Sequence, residues 1–161
     1  MYTISKEFHF SASHILYWLE ANHPCGRMHG HNYVVIVELT GKLQENGFVK
    51  DYRELEPIKK WIDENLDHRH LNDVSAEVLG DPEAPLFVQP SAEIMASRLF
   101  DVFQKLVPDV TICGVRVKET PKTEAIYRPA LVYRKTLPKA AELTDEEIRA
   151  AFNPLKHGSD A

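Results

Sequence analysis

The run from His31 to Thr40, HNYVVIVELT, limits the possible folds more than any other stretch of the chain. It is rich in β-branched residues and apolar on both parities, so it reads as a strand buried on both sides. The segment before it is different. Tyr2, Ile4, Phe8, Phe10, Ala12 and His14 share one parity, with Lys6 the exception. That alternation predicts a half-buried strand with His14 on the face of Phe8 and Phe10. The segment ILYWLEANHPCGRM between the two strands reads as a long loop.

Gly41 ends the second strand, ENG turns the chain, and a short strand is expected near Phe48–Lys50. Asp51 and Glu54 stand at capping-box spacing and Pro57 fits a first turn. Leu55, Ile58, Ile62 and Leu66 recur at helical intervals, which predicts a helix over 52–66. LDHRHLND (66–73) is a polar loop, and 75–90, with three prolines, reads as irregular. Ser91 caps a second helix carrying Met95, Leu99, Val102, Phe103 and Leu106, and Pro108 stops it. VTICGVRVKE (110–119) is a strand. EAIYRPALVYRK (124–135) is another, interrupted at Pro129, and Thr144 with Glu147 predicts a short helix over 145–152.

The order is therefore strands, helix, loop, helix, strands. This is an α+β arrangement, one domain over 1–135 with a C-terminal extension over 136–161. Two helices cover one face of such a sheet, whereas the 31–40 strand asks for cover on both. The second face calls for a partner, most simply another copy of the chain.

The chain has 161 residues, the length of one typical domain, and its 43% hydrophobic content suffices for a core. It contains no apolar run long enough to span a membrane. MYTISKEFHF lacks the charge and apolar pattern of a secretory signal. Two cysteines, Cys25 and Cys113, make no disulfide framework, so a reducing, cytoplasmic setting is expected. A net charge of −5 without a basic block weighs against nucleic-acid binding.

His29 and His31 project from one face of an extended chain, and His14 closes the first strand. If those strands pair, three imidazoles converge. Three histidines suit zinc and leave a fourth position open, as catalytic sites do. Gly30 between them permits a close backbone approach. Two alternatives stand beside this reading: ordinary core histidines, and a closed staple with Cys25 as fourth ligand. A staple needs the sulfur on the metal, while an enzyme would keep it off as a free base.

In LDHRHLND, Asp67 can orient His68, with His70 and Asp73 nearby. The plainer reading is a polar helix end whose dipole favours histidine. Glu119 shares its parity with Cys113, Val115 and Val117. It is either at an exposed strand end or buried with a partner, and Cys113 reads as inert core.

Together, FSASH ending at His14, CGRMHGHNY, LDHRHLND, PSAEIMA and VKET resemble the motifs of the 6-pyruvoyl-tetrahydropterin synthase family, in the family's order. The three residues between Cys25 and His29 are similar to its bacterial 6-carboxytetrahydropterin branch, which belongs to queuosine biosynthesis. Ser91 stands where the family has Thr, which keeps the hydroxyl cap.

The resemblance implies the tunnelling fold: a four-stranded antiparallel sheet with two helices on one face. Three sheets close into a barrel, and two barrels stack into a homohexamer with active sites between subunits. It implies Zn2+ on His14, His29 and His31. Glu119 would anchor the pterin, Cys25 would act as base, and His68, oriented by Asp67, would form a proton relay coupled to Glu119. The substrate would be 7,8-dihydroneopterin triphosphate, converted to 6-carboxytetrahydropterin with release of acetaldehyde and triphosphate. Arg27, Arg69, Lys118, Lys122 and Arg128 are the candidate cations for the triphosphate. The rivals are the pyruvoyl reaction of the same family, a non-catalytic zinc-stabilised assembly module, and a zinc hydrolase.

Overall fold

A single long hairpin carries the molecule. In the computed structural model, β1 (Tyr2–His14) and β2 (His29–Gly41) pair antiparallel without a break, from Tyr2 opposite Gly41 to His14 opposite His29. The structure describes residues 1–20 and 22–129. The expected 145–152 helix, the 136–161 extension and the strand beyond residue 129 lie outside them.

A short 3-10 turn (Tyr52–Leu55) leads into α1 (Glu56–Asn65). The capping box at Asp51 and Glu54 forms as expected, at the start of that turn. Pro57 sits in the first turn of α1, where its missing N–H costs nothing. The second helix, α2 (Ala92–Leu106), begins where the Ser91 hydroxyl accepts the Ile94 N–H. Two further strands, β6 (Ile112–Thr120) and β7 (Thr123–Tyr127), complete the main sheet after three minor ones, β3 (Arg69–His70), β4 (Ser75–Ala76) and β5 (Asp81–Pro85).

The main sheet has the order β3-β1-β2-β6-β7. This corrects the expected four-stranded antiparallel sheet: there are five strands, and β3 runs parallel to β1. The extra strand is two residues long and has no periodicity to read. It is held because Asp67 accepts the Ser11 N–H and the His68 N–H donates to Ser11 O. Region 75–90, read as irregular, contains the β4–β5 hairpin. The strand expected near Phe48–Lys50 is a bend, in which Phe48 points to solvent while Val49 is buried against Gly41.

The helices cover one face of the sheet. Phe8, Phe10, Val35, Val37, Leu39, Val115 and Val117 meet Ile58, Ile62, Met95, Leu99, Val102 and Phe103 in one core. Each such side chain, fully buried, contributes about 1.5–3 kcal/mol relative to exposure. On the opposite face β2 is also covered, and one chain supplies that cover: Ile36 is 2% exposed and Glu38 7%. Arg128 grips Glu38 with two hydrogen bonds of 2.8 Å. Gly114, opposite Glu38, makes room for the pair, since a Cβ there would stand 2.7 Å from Glu38 Oε2. Burial of β2 on both faces therefore does not by itself require a second copy.

Candidate functional site

The end of the hairpin brings three histidines together. His14 lies directly opposite His29, and His31 lies opposite Ala12, so all three rings share the helix-covered face. Their centroids are 4.4, 5.1 and 5.0 Å apart, and one ligand atom from each lies within 4.8 Å of the others. Gly30 permits the close strand approach expected of it; a Cβ there would sit 3.0 Å from Ala12 O.

The outer nitrogens are tied down. His14 Nδ1 is 2.8 Å from Pro90 O, and His29 Nδ1 is 2.7 Å from Arg27 O. A carbonyl only accepts, so each Nδ1 carries the hydrogen and each neutral ring turns a bare Nε2 lone pair inward. Those two Nε2 atoms face each other at 3.0 Å. Two lone pairs at that separation repel unless a proton or a cation lies between them. Burial pushes the pKa of His14 down to about 4, opposed by the Pro90 carbonyl and reinforced by His29, His31 and His70. Burial, then His29, also lowers His31. A shared proton is thus disfavoured at neutral pH, and a metal ion is the better solution. Tetrahedral zinc with Zn–N bonds of about 2.0–2.1 Å would hold its nitrogens about 3.3 Å apart, close to the spacing of this pair.

Cys25 occupies a 3-10 turn (Pro24–Gly26), half-buried, with its carbonyl accepting the Leu16 N–H and its own N–H donating to His23 Nδ1. Its sulfur is not a member of the three-histidine group, in line with the open site rather than the four-ligand staple.

Asp67 and His68 do pair, with Oδ2 2.9 Å from Nδ1. Asp67 is held below the usual carboxylate range, first by the Ser11 N–H and then by His68. His68 adopts the left-handed region at φ 58, a strained conformation for a residue with a Cβ. Its backbone bond to Ser11 and its side-chain bond to Asp67 maintain it there. The His68 side chain is 83% exposed.

Glu119 sits near the end of β6. Continuing the β2–β6 register one step past Val34–Lys118 sets it opposite Tyr33. Burial, then the charge of Glu93, raises its pKa, while His29 lowers it. Its Oε1 is buried and has no hydrogen-bond partner among the described residues, and neither do Tyr33 Oη and Gln89 Oε1. The Tyr33 hydroxyl is held firmly protonated by burial and by the Glu119 charge. Tyr33 and Gln89 escape sequence reasoning, although Tyr33 shares the parity of His29 and His31 and was findable on that ground. Gln89 precedes a proline in an irregular stretch and carries no such signal. Buried polar atoms left unpaired by the chain call for a water, an ion or a ligand as partner.

Comparison with known proteins gives a consistent picture. A model of the 6-pyruvoyl tetrahydropterin synthase family matches residues 3–130. A 6-carboxy-5,6,7,8-tetrahydropterin synthase of Bacillus subtilis is 32% identical over 80% of the chain and 86% of that protein. The human 6-pyruvoyl tetrahydrobiopterin synthase is 31% identical over 78% of the chain and 90% of that protein. Among solved structures, the 6-pyruvoyl tetrahydropterin synthase of Caenorhabditis elegans superposes with a TM-score of 0.66 at 25% identity. That match covers 80% of this chain and 95% of the other.

Proposed function

Because the chain belongs to the 6-pyruvoyl tetrahydropterin synthase family, an enzyme family, we propose that it is a zinc-dependent carbon–carbon lyase of the 6-carboxytetrahydropterin type. It would convert 7,8-dihydroneopterin triphosphate and one water to 6-carboxy-5,6,7,8-tetrahydropterin, releasing acetaldehyde and triphosphate. The observation that carries the reading is the pair of inward Nε2 atoms at 3.0 Å on buried rings, with a third imidazole beside them. It asks for a metal with one position left for substrate. The carboxy branch is favoured by the three-residue spacing from Cys25 to His29 and by the Bacillus subtilis relative.

His14, His29 and His31 would hold the zinc ion, which when bound supplies Lewis-acid polarisation of the substrate's side-chain hydroxyls. Every other role falls to the chain's own groups. Glu119 receives N–H donors from the pterin's guanidine-like edge, which would satisfy its lone Oε1. Cys25 Sγ takes the side-chain proton. His68 moves protons at Nε2 while Asp67 fixes its Nδ1 hydrogen. With triphosphate expelled, the side chain cleaves in retro-aldol fashion.

The His68 side chain is largely exposed on its own chain, which supports an active site completed between subunits. Most of the outer edge of β1 and that of β7 have no partner strand among the described residues. Open edges of this kind support closure of three sheets into a barrel and two barrels into a hexamer. Residues 1–135 would form that domain, with 136–161 as an appendix. The deciding experiment incubates the protein with dihydroneopterin triphosphate and measures acetaldehyde. Triphosphate release without acetaldehyde would instead place it with the pyruvoyl enzymes, the reading that the human relative favours. Neither product, with metal bound, would favour the assembly module.

A further inference from the structure

The end of the hairpin remote from the histidines carries an apolar rim that no described residue covers. Tyr2, Leu43, Phe48 and Tyr52 are each 44–53% exposed there. They belong to one place. Tyr2 stands opposite Gly41, and Val49 packs so closely on Gly41 that a Cβ there would meet it at 2.9 Å. Phe48, the neighbour of Val49, accepts the Gln44 N–H at its carbonyl, which brings Leu43 back beside it. The Tyr52 carbonyl accepts from Lys6 Nζ at 3.1 Å, and Lys6 shares the β1 face of Tyr2. The rim is also cationic. Lys50 pairs with Glu54 and Arg53 with Asp51, which leaves Lys6 and Lys42 against Glu45.

The sequence holds a matching segment beyond the described residues. In LTDEEIRAAF (143–152), Thr144 and Glu147 stand at capping-box spacing, and Leu143 and Ile148 occupy the two positions of a hydrophobic staple. Ile148, Ala151 and Phe152 continue one apolar stripe, while Asp145, Glu146 and Glu147 load the first turn with acid. A helix this short is marginal in water and forms where its stripe has a surface to bury. The rim lies within reach. β7 runs toward it, since Tyr127 pairs with Val115 and Arg128 stands beside Gly114 and Glu38. From Arg128, Tyr2 is three residue steps along the sheet and three strands across, about 17 Å at about 3.3 Å per residue and about 4.8 Å per strand. A coil of the length of residues 130–142 spans about 20 Å. We propose that residues 143–152 fold back on their own chain as an amphipathic helix that covers this rim. Its apolar stripe would lie on Tyr2, Leu43, Phe48 and Tyr52, and its acidic first turn beside Lys6 and Lys42. The contact sits at the opposite end of the hairpin from the histidines, so it does not depend on the proposed reaction.

Hydrogen exchange of the full chain, read by mass spectrometry, tests it, with Phe48→Ser on the rim and Phe152→Ser on the segment. Phe48 is exposed, and its replacement leaves the buried Val49 in place. In the wild type the amides of residues 147–152 should exchange at least about 10-fold more slowly than unstructured chain. Either substitution should return them to within about two-fold of that chain, and Phe152→Ser should also speed exchange over residues 42–52. Unprotected amides over 147–152 in the wild type overturn the proposal, and the rim then awaits another molecule. Protection that survives Phe48→Ser overturns the placement. A double variant, Phe48→Cys with Phe152→Cys, is oxidised and mapped by peptide mass to settle which chain supplies the cover. A bridge within one chain upholds the proposal. A bridge joining two chains overturns it, because the segment is then exchanged between copies.

Discussion

Replacing Tyr33 by phenylalanine should make the ligand-free protein more stable. The Tyr33 ring is fully buried, stacked on Phe10 at 5.0 Å and edge-on to His14 and His31 at 6.0 and 5.5 Å. Phenylalanine keeps all of those ring contacts. What it removes is a hydroxyl with no hydrogen-bond partner among the described residues, and a buried polar group left unpaired costs about 1–3 kcal/mol. Taking the lower end, the gain is about 1 kcal/mol, which for a domain of this size raises Tm by about 2–4 °C. Urea melts of both proteins, read at equal slope, measure it directly. A fall in stability of about 1 kcal/mol would refute the reasoning, because it would mean that the hydroxyl has a partner in the ligand-free protein.

Cys25→Ala should keep the metal and lose turnover by about 10²–10⁴-fold, whereas His29→Ala should lose both. Metal analysis beside the acetaldehyde assay separates them, and loss of metal in Cys25→Ala would restore the staple. Gly114→Ala should destabilise by roughly 2 kcal/mol, since the new methyl meets Glu38 Oε2 at 2.7 Å and Arg128 Cγ at 2.9 Å; an unchanged melt would show that the pair shifts freely. Metal-free protein should weaken as pH falls through the histidine range. His14 binds its proton at about 4 when folded and at 6.5 when unfolded, so the unfolded chain holds more protons between those values. Stability is then fully present above 6.5 and declines toward pH 4, by up to about 3 kcal/mol. A His14→Gln variant should flatten that slope, and an identical slope in the variant would assign it to other groups.

Local patterns predicted the elements that carry strong periodicity. The alternation of residues 2–14 placed His14 on the face of Phe8, and the hairpin register confirms it. Both helices sit where their apolar stripes and caps at Asp51 and Ser91 put them. The failures share a cause. β3 and the β4–β5 hairpin are two to five residues long. Such pieces are too short for a period of two to register, and backbone bonds from elsewhere hold them. The Arg128–Glu38 pair was not legible either, because the two residues stand 90 positions apart and nothing local links a distant arginine to a buried glutamate.

At the site, the convergence of His14, His29 and His31 was legible in one dimension once the two strands were taken to pair. Spacing and parity fix which face a side chain takes, and the two strands that carry these residues are adjacent in the chain. Tertiary structure alone decided the rest. It supplied the carbonyls of Pro90 and Arg27 that turn two lone pairs toward each other. It left Tyr33, Gln89 and Glu119 with buried oxygens that have no hydrogen-bond partner among the described residues. These are questions of what surrounds an atom in space, and desolvation and hydrogen-bond geometry depend on neighbours that no local pattern encodes.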